Sequence, residues 1–402
     1  MTRIKKAKIT INDTWFGLLM LYIISNYIAQ DLLMPSSINS LILYVFLAYS
    51  MFAIFLSGKV RLTVNIVWEL TFLILCFVAM LYSPSFSGVW GTYYALIVNF
   101  ILVFIFIQMP WNQERFNCIM KTFVFASVVL IVLLSLTGNL GDASGRLGTE
   151  LVGNANQLAM MLMVSAIYSI WLLISTNILR YKLIYLMALA VIYLGMFLSG
   201  GRKYVVVPII FAYIVLAYKT DKKGRKHLIK NTLIIVSIMA ALYLLIMEVP
   251  YFYDIIGYRF EGFLGLFDDS YSVDSSTLKR ELMIDAAWKQ WKLSPMWGYG
   301  FDSFKYYNAQ SVTGYEYYSH NNFLELLYNQ GIIGFVGYYW FYVYLMVKQR
   351  KQKNTLKKGF VVGMVISLLV FEYFGISYSV TPVQTMLFYG WFLLQNEDAT
   401  GI

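Results

Sequence analysis

Long stretches without a charged residue alternate with short clusters of lysine and arginine along most of the chain. In lipid every backbone amide must be bonded internally, so an apolar run of about 20 residues has to form a helix. The first runs cover 15–30, 32–58 and 70–113, and the Ser83-Pro84-Ser85 turn divides the third into two spans. Further spans are predicted at 122–137, 156–175, 183–198, 204–218, 232–247, 326–347, 359–377 and 383–395. The pattern predicts an all-α, polytopic membrane protein with about twelve transmembrane helices.

The composition excludes a soluble globular protein. Of the 402 residues, 59% are hydrophobic and 13% are charged, whereas soluble domains carry about 25% charged residues. Cys76 and Cys118, the only cysteines, lie in apolar surroundings and far apart in the chain. This excludes a disulfide framework and a cysteine-based metal site. No metal ion or organic cofactor is expected.

The lysines and arginines predict how the chain is oriented in the membrane. With the N-terminus inside, most of them fall in inner connections, and the largest clusters lie at 219–230 and 348–358. Such an excess marks the cytoplasmic side of a membrane, so both termini are predicted to be cytoplasmic. The net charge of +10 then reflects topology. A nucleic-acid partner is not expected, because no basic patch is interleaved with stacking aromatic residues.

One outer connection breaks the pattern of short loops. The segment 249–319 is far longer than a connecting turn, which predicts a small extracytoplasmic loop subdomain or lid before the tenth helix. The chain then divides into helices 1–5 (1–137), helices 6–9 with arginine motifs at the outer face (138–248), this loop (249–319), and a histidine motif with helices 10–12 (320–402).

Arginines in the outer segments are candidates for binding an anion. Arg202 and then Lys203 follow the Ser199-Gly200-Gly201 turn, where glycine lets the backbone approach a bound group. Anchoring at the membrane interface is the alternative. Arg146 lies in a similar glycine-containing loop, where a solvated side chain explains it nearly as well. Arg280 would lie in the first turns of a helix that Ser275-Ser276-Thr277 can cap and that runs to Trp291, a good place to hold an anion.

His320 is the only histidine in a predicted outer segment. With Ser319 or Asn321 as the cap, it falls at a helix N-terminus, where the helix dipole lowers the pKa of the imidazole and keeps it able to take a proton. A capping or interfacial hydrogen bond is the other interpretation. Glu325 is expected to face Asn321 rather than His320, because residues four apart share a helix face.

Two acidic residues interrupt predicted spans. Glu69 lies near the inner end of the third span and is expected to pair with Lys59 or Arg61. Glu372 lies about 20 Å along the eleventh helix. An unpaired carboxylate in the bilayer is costly, so Glu372 is expected to face a cavity or meet an arginine.

An ordered set of short motifs resembles the O-antigen ligase and polysaccharide polymerase superfamily. The motifs are Gly145-Arg146-Leu147-Gly148, Asn154-Ala155-Asn156-Gln157-Leu158-Ala159, Ser199-Gly200-Gly201-Arg202, Arg280 with Trp288, Pro295-Met296-Trp297-Gly298-Tyr299-Gly300, and His320-Asn321-Asn322-Phe323-Leu324-Glu325 with Gly331 and Gly334. They cover roughly residues 140–345. One departure is Gly201, where the family usually has serine.

The resemblance implies an integral inner-membrane glycosyltransferase that acts without metal on saccharides linked to undecaprenyl diphosphate. Arg202 and Arg280 would clamp the diphosphate of the donor, and His320 would deprotonate the acceptor hydroxyl for an inverting transfer at the outer face. Arg146, Lys203, Asn321, Glu325 and Glu372 are additional candidates for this site.

Three functions fit this sequence. The one we favour is a polymerase of lipid-linked oligosaccharide repeats for capsule, exopolysaccharide or O-antigen, with the lipid bilayer, a flippase and a chain-length regulator as partners. A ligase that moves finished polymer to another acceptor is the closest alternative. A transporter of lipid-linked saccharide is the third. Transporters usually show repeated broken helices around a midplane site, and no such internal symmetry is evident here.

Overall fold

The computed structural model describes residues 10–28, 34–136, 147, 155–220, 225–258, 261 and 275–395. All regular secondary structure in these ranges is helical. The helices are α1 (Ile11–Ile28), α2 (Ser36–Ser57), α3 (Val64–Met80), α4 (Phe86–Gln108), α5 (Gln113–Leu136), α6 (Ala155–Ser175), α7 (Leu179–Leu198), α8 (Arg202–Thr220), α9 (Arg225–Glu248), α10 (Ser275–Trp291), α11 (Phe304–Ser311), α12 (Asn322–Lys348), α13 (Thr355–Tyr373) and α14 (Thr381–Gln395). Short helical turns lie at Pro250–Phe252, Tyr253–Gly257 and Gln349–Lys351.

Seven helices in the described ranges are long and apolar enough to cross a membrane, namely α2, α4, α5, α6, α7, α8 and the helix that begins at Asn322. Helix α3 and the part Thr232–Glu248 of α9 are apolar but shorter. The chain is therefore an all-helical polytopic membrane protein. The count of about twelve spans and the position of the loop subdomain stay predictions.

Helix α6 lies at the centre of the bundle. It packs against α5, α7 and α8, and its sequence is apolar on all sides, which is typical of a fully surrounded helix. Some buried polar groups of α6 find partners in other helices. Ser169 Oγ donates to the carbonyl of Tyr185 at 3.0 Å, and the Tyr27 hydroxyl donates to the carbonyl of Met161 at 2.9 Å.

Helix α12 is broken at Gly331, where φ is 64° and ψ is −162°. The break frees carbonyl groups of α12, and the segment Pro295 to Gly300 binds them. Tyr299 N donates to the carbonyl of Tyr328 at 2.9 Å, and Gly300 N donates to that of Asn329 at 2.9 Å. The contact is backbone against backbone, because a Cβ on Gly331 would lie 2.2 Å from the carbonyl oxygen of Met296.

Gly331→Ala is therefore expected to lower the stability of the protein strongly. A side chain at this φ and ψ costs about 1–3 kcal/mol of backbone strain, and the clash with Met296 adds to it. Gly314→Ala is the matched control, since Gly314 also has a positive φ of 79° but a Cβ added there would have nothing within 4 Å. Thermal unfolding in detergent should show a much larger drop in melting temperature for Gly331→Ala. Equal drops would contradict this account of the break.

The prediction that Glu69 forms an ion pair with Lys59 or Arg61 is wrong. Glu69 is 5% exposed and its Oε1 atom has no hydrogen-bond partner in the described part of the chain. Neither Lys59 nor Arg61 forms an ion pair with it among the described residues. The neighbouring Trp68 packs toward α12, where its indole donates to the carbonyl of Tyr338 at 2.9 Å.

Candidate functional site

Arg202 begins α8 directly after the turn that ends α7. Gly200 has a left-handed backbone with φ 68°. A Cβ on Gly201 would lie 2.4 Å from the ring of Tyr204, so glycine rather than serine at this position lets Tyr204 pack against the turn. Arg202 Nη2 donates a hydrogen bond to Thr277 Oγ1 at 3.3 Å.

Helix α10 brings the second arginine to the same place. The helix begins at Ser275, which confirms the prediction from the Ser275-Ser276-Thr277 sequence. Thr277 is buried in its first turn, and Arg280 comes three residues later. Residues three apart project from the same helix face. Arg202 therefore contacts the face of α10 that carries Arg280.

Lys203 is held at the end of α13. Its ammonium group donates to the carbonyl of Phe374 at 2.8 Å and lies 4.8 Å from the centroid of the Phe371 ring. A Cβ on Gly375 would lie 2.2 Å from Lys203 Nζ, so the small residue makes room for the ammonium group. The Lys203 ammonium group is thus held beside the start of α8 by contacts with the end of α13.

His320 precedes the cap of α12 and has a left-handed backbone with φ 59°. Its ring packs on that of Tyr318, with centroids 4.4 Å apart. Burial, with the positive charges of Arg280 and Lys203, lowers the pKa of His320 to about 3. The direction agrees with the one expected from the sequence, and burial is the largest cause, followed by the two cations. His320, Arg280 and Lys203 therefore occupy one electrostatic neighbourhood.

This proximity predicts the titration of His320. In a His227→Gln variant His320 is the only histidine, and ¹⁵N NMR should find it neutral throughout pH 5–8. Its folded pKa lies below the unfolded value of about 6.5, so protons bind preferentially to the unfolded chain and stability falls as the pH drops below that value. Adding Arg280→Gln should raise the pKa of His320, whereas Lys289→Gln, at an exposed position of α10, should not. A titration midpoint of His320 near pH 6.5 in the His227→Gln variant, before Arg280 is replaced, would contradict the burial of His320 near the two cations.

Glu325 holds the backbone next to His320. Its Oε2 atom accepts from Ser319 N at 2.7 Å, and its Oε1 atom accepts from Asn329 Nδ2 at 3.0 Å. Asn321 caps α12, since its Oδ1 atom accepts from Leu324 N at 3.1 Å. The expectation that the Glu325 side chain would face Asn321 is wrong, because the loop folds back and offers the Ser319 N–H instead. Glu325 therefore fixes the conformation of the histidine loop.

Glu372 meets hydroxyl groups, and among the described residues it meets no arginine. Its carboxylate accepts from the hydroxyls of Tyr342 at 2.6 Å and Tyr339 at 3.0 Å. Tyr339 in turn accepts from Asn322 Nδ2 at 2.8 Å. The predicted ionic partner is replaced by neutral donors, which satisfy a fully buried carboxylate without a second charge. Glu372 supports the start of α12 through Tyr339 and lies behind the candidate site.

A cavity of about 530 Å³ adjoins the cationic cluster, a volume typical of small-molecule sites. Its lining includes Lys203, Tyr318, Asn156 and Gln157, as well as Thr92 and Asp302, which are hydrogen-bonded to each other. Leu102 and Phe106, about three to four helical turns beyond Thr92 on α4, line its other end. The cavity thus has one polar and one apolar end.

Some residues of this site are predicted from the sequence, and others are not. Arg146 lies outside the described residues, although Leu147 N donates to the carbonyl of Leu198 at 2.9 Å, just before the Ser199 turn. Thr277 and Asn329 were not expected to take part, because their role depends on contacts between distant segments. Asp302 is not singled out by the sequence analysis, and its place directly after the glycine motif is the one signal that could have found it. Among the described residues no group of three or more His, Cys, Asp or Glu could hold a metal ion.

These features define a polytopic membrane protein with a histidine and several cations gathered where helix ends and a connecting segment meet. Residues 186–339 match the family model described as O-Antigen ligase. The matched part contains Arg202, Arg280 and His320, and it supports the resemblance to the O-antigen ligase and polymerase superfamily. No curated protein sequence gives a significant match to the chain.

Proposed function

We propose that the protein is a polysaccharide polymerase that joins undecaprenyl-diphosphate-linked oligosaccharide repeats at the outer face of the cytoplasmic membrane. The observation that carries this proposal is the position of His320 beside Arg280 and Lys203. A neutral imidazole next to fixed cations suits a reaction in which a hydroxyl loses a proton and a diphosphate leaves.

In the proposed reaction the arginines bind the diphosphate and the histidine takes the proton. Arg280 and Arg202 donate charge-assisted hydrogen bonds to the diphosphate oxygens, and Lys203 adds a third positive charge. His320 accepts the proton of the acceptor hydroxyl, whose oxygen attacks the anomeric carbon from the face opposite the leaving group. The bond from that carbon to the diphosphate oxygen breaks, and its electron pair leaves with the diphosphate. The configuration at the anomeric carbon inverts.

In the proposed reaction, binding of the donor also changes the basicity of His320. The negative charges of a bound diphosphate oppose those of Arg280 and Lys203, the two cations that help to lower the pKa of His320. Binding of the donor therefore raises the basicity of the imidazole when an acceptor is to be deprotonated.

The proposed setting follows the pattern of charge in the sequence. About twelve spans, both termini in the cytoplasm and the segment 249–319 on the outer side would place the cluster at the outer membrane interface. Repeats delivered by a flippase would reach the site there, and a chain-length regulator would act beside it.

A ligase is the second candidate, because the matching family model is described as O-Antigen ligase. The two functions differ in the acceptor, since donor and acceptor of a polymerase carry the same lipid diphosphate. Purified protein incubated with lipid-linked repeat alone should give a ladder of products of increasing length on a gel. Product that forms only after a different acceptor is added would overturn the polymerase proposal in favour of the ligase. Movement of the lipid-linked repeat across vesicles, with no glycosidic product, would instead support a transporter.

A further inference from the structure

Two non-glycine residues in the described part of the chain have a left-handed backbone, His320 with φ 59° and Asp302 with φ 53°. Such a conformation costs free energy in a residue with a side chain, and it concentrates at functional sites. His320 belongs to the proposed site. Asp302 has no assigned role.

The same buried pair of side chains holds both residues. Glu325 accepts from the N–H of Ser319, the residue before His320. Asn329, which donates to Glu325 at 3.0 Å, accepts at its Oδ1 atom from Ser303 N at 3.1 Å, the residue after Asp302. His320 and Asp302 are therefore positioned by one rigid unit rather than by separate loops.

The carboxylate of Asp302 is oriented by its hydrogen bonds. Thr92 Oγ1 and Lys305 Nζ each donate to Oδ2 at 2.7 Å. Both bonds use the same oxygen, and Oδ1 accepts none of the hydrogen bonds found among the described residues. Asp302 is 8% exposed and lines the polar end of the cavity.

The chemistry of this end differs from that of the cationic cluster. Lys305 already pairs with Asp302, so the pair carries no net charge to attract a phosphate. An oriented carboxylate oxygen accepts hydrogen bonds from hydroxyl groups. The amides of Asn156 and Gln157, the ring of Tyr318 and the ammonium group of Lys203 also line the cavity. Hydroxyl-rich and uncharged rings fit these groups.

We propose that the polar end of this cavity binds the acceptor saccharide, and that Asp302 accepts hydrogen bonds from hydroxyl groups of its terminal sugar. The inference rests on the proposed glycosyl transfer and deepens it, because it separates an acceptor subsite from the diphosphate subsite. Asp302 is a substrate-binding residue in this arrangement, and His320, whose ring packs on the cavity-lining Tyr318, takes the proton.

The test uses two probes on the full-length protein in detergent. The first is the lipid-free repeat oligosaccharide released from the lipid-linked repeat by mild acid, and the second is undecaprenyl diphosphate without sugar. Asp302→Asn removes the charge with a residue that tolerates a left-handed backbone. It should weaken binding of the oligosaccharide by about 10- to 100-fold and leave binding of undecaprenyl diphosphate unchanged. Asp285→Asn removes an exposed carboxylate from α10 and should change neither.

Gln157→Leu keeps the test decisive should Asp302→Asn not fold, because it removes a polar group from another wall of the cavity. It should weaken oligosaccharide binding by about 2- to 10-fold. The proposal of an acceptor subsite would be overturned if both variants bound the oligosaccharide with unchanged affinity. It would also be overturned if they lost affinity for the oligosaccharide and for undecaprenyl diphosphate equally. The polymerase proposal is tested separately, by the products that the wild-type protein forms. A wild-type ladder together with a normal KM for Asp302→Asn would refute this inference alone, whereas no ladder from wild type would refute the polymerase.

Discussion

Replacing His320 with alanine is expected to reduce the formation of glycosidic product by about 10²- to 10⁴-fold, the usual contribution of a general base. The imidazole is half-buried, packs on the ring of Tyr318 and lies within the electrostatic influence of Arg280 and Lys203, which suits the proposed base. Turnover of lipid-linked repeat by purified protein measures the effect, and binding of undecaprenyl diphosphate should persist.

Two further variants separate chemistry from folding. His320→Asn keeps a residue that accepts the left-handed backbone and should be as inactive as the alanine variant, with an unchanged melting temperature. His227→Ala removes the other histidine, which lies on α9, and should retain full activity. Turnover by His320→Asn at the wild-type rate would remove His320 from the reaction.

Replacing Arg280 with alanine is expected to lower kcat/KM by about 10²- to 10³-fold, because the charge that develops on the leaving diphosphate loses a preorganised donor. Arg280→Lys should recover only part of this loss, since an ammonium group cannot make the bidentate contact of a guanidinium. Steady-state kinetics with lipid-linked repeat measure both changes, and undecaprenyl diphosphate should bind more weakly to the alanine variant.

Lys289→Ala is the matched control, because it removes a positive charge from the same helix at an exposed position. It should leave kcat/KM within about twofold of wild type, as for surface substitutions away from a site. The same loss in Lys289→Ala and Arg280→Ala would mean that α10 contributes net charge rather than a specific contact. Unchanged kinetics in Arg280→Ala would remove this arginine from the site.

Much of the helical architecture could be predicted from the sequence, because charge-free runs and turn residues act locally. The break between α3 and α4 falls at the expected Ser83-Pro84-Ser85 turn, and α10 begins at the expected Ser275. The break in α12 could not be predicted, although Gly331 was noticed. Its cause is a contact with Pro295 to Gly300, which lie far away in the chain.

The charged groups of the site were easier to predict than their partners. Arg202, Arg280 and His320 were found because charge at the predicted outer face is unusual and the motifs are ordered. The sequence predicts that Glu69 pairs with Lys59 or Arg61, that Glu325 faces Asn321, and that Glu372 faces a cavity or meets an arginine. The structure instead gives two of them hydroxyl and backbone N–H donors from other segments, which depend on the tertiary fold.

The most direct test of the central claim is a structure of His320→Ala, trapped with the lipid-linked repeat that it cannot consume. The account predicts that the diphosphate contacts the guanidinium groups of Arg202 and Arg280. The anomeric carbon should then face the space that the imidazole of His320 occupies in the wild-type protein. A diphosphate bound away from both arginines, or on the opposite side of the membrane from residue 320, would contradict it.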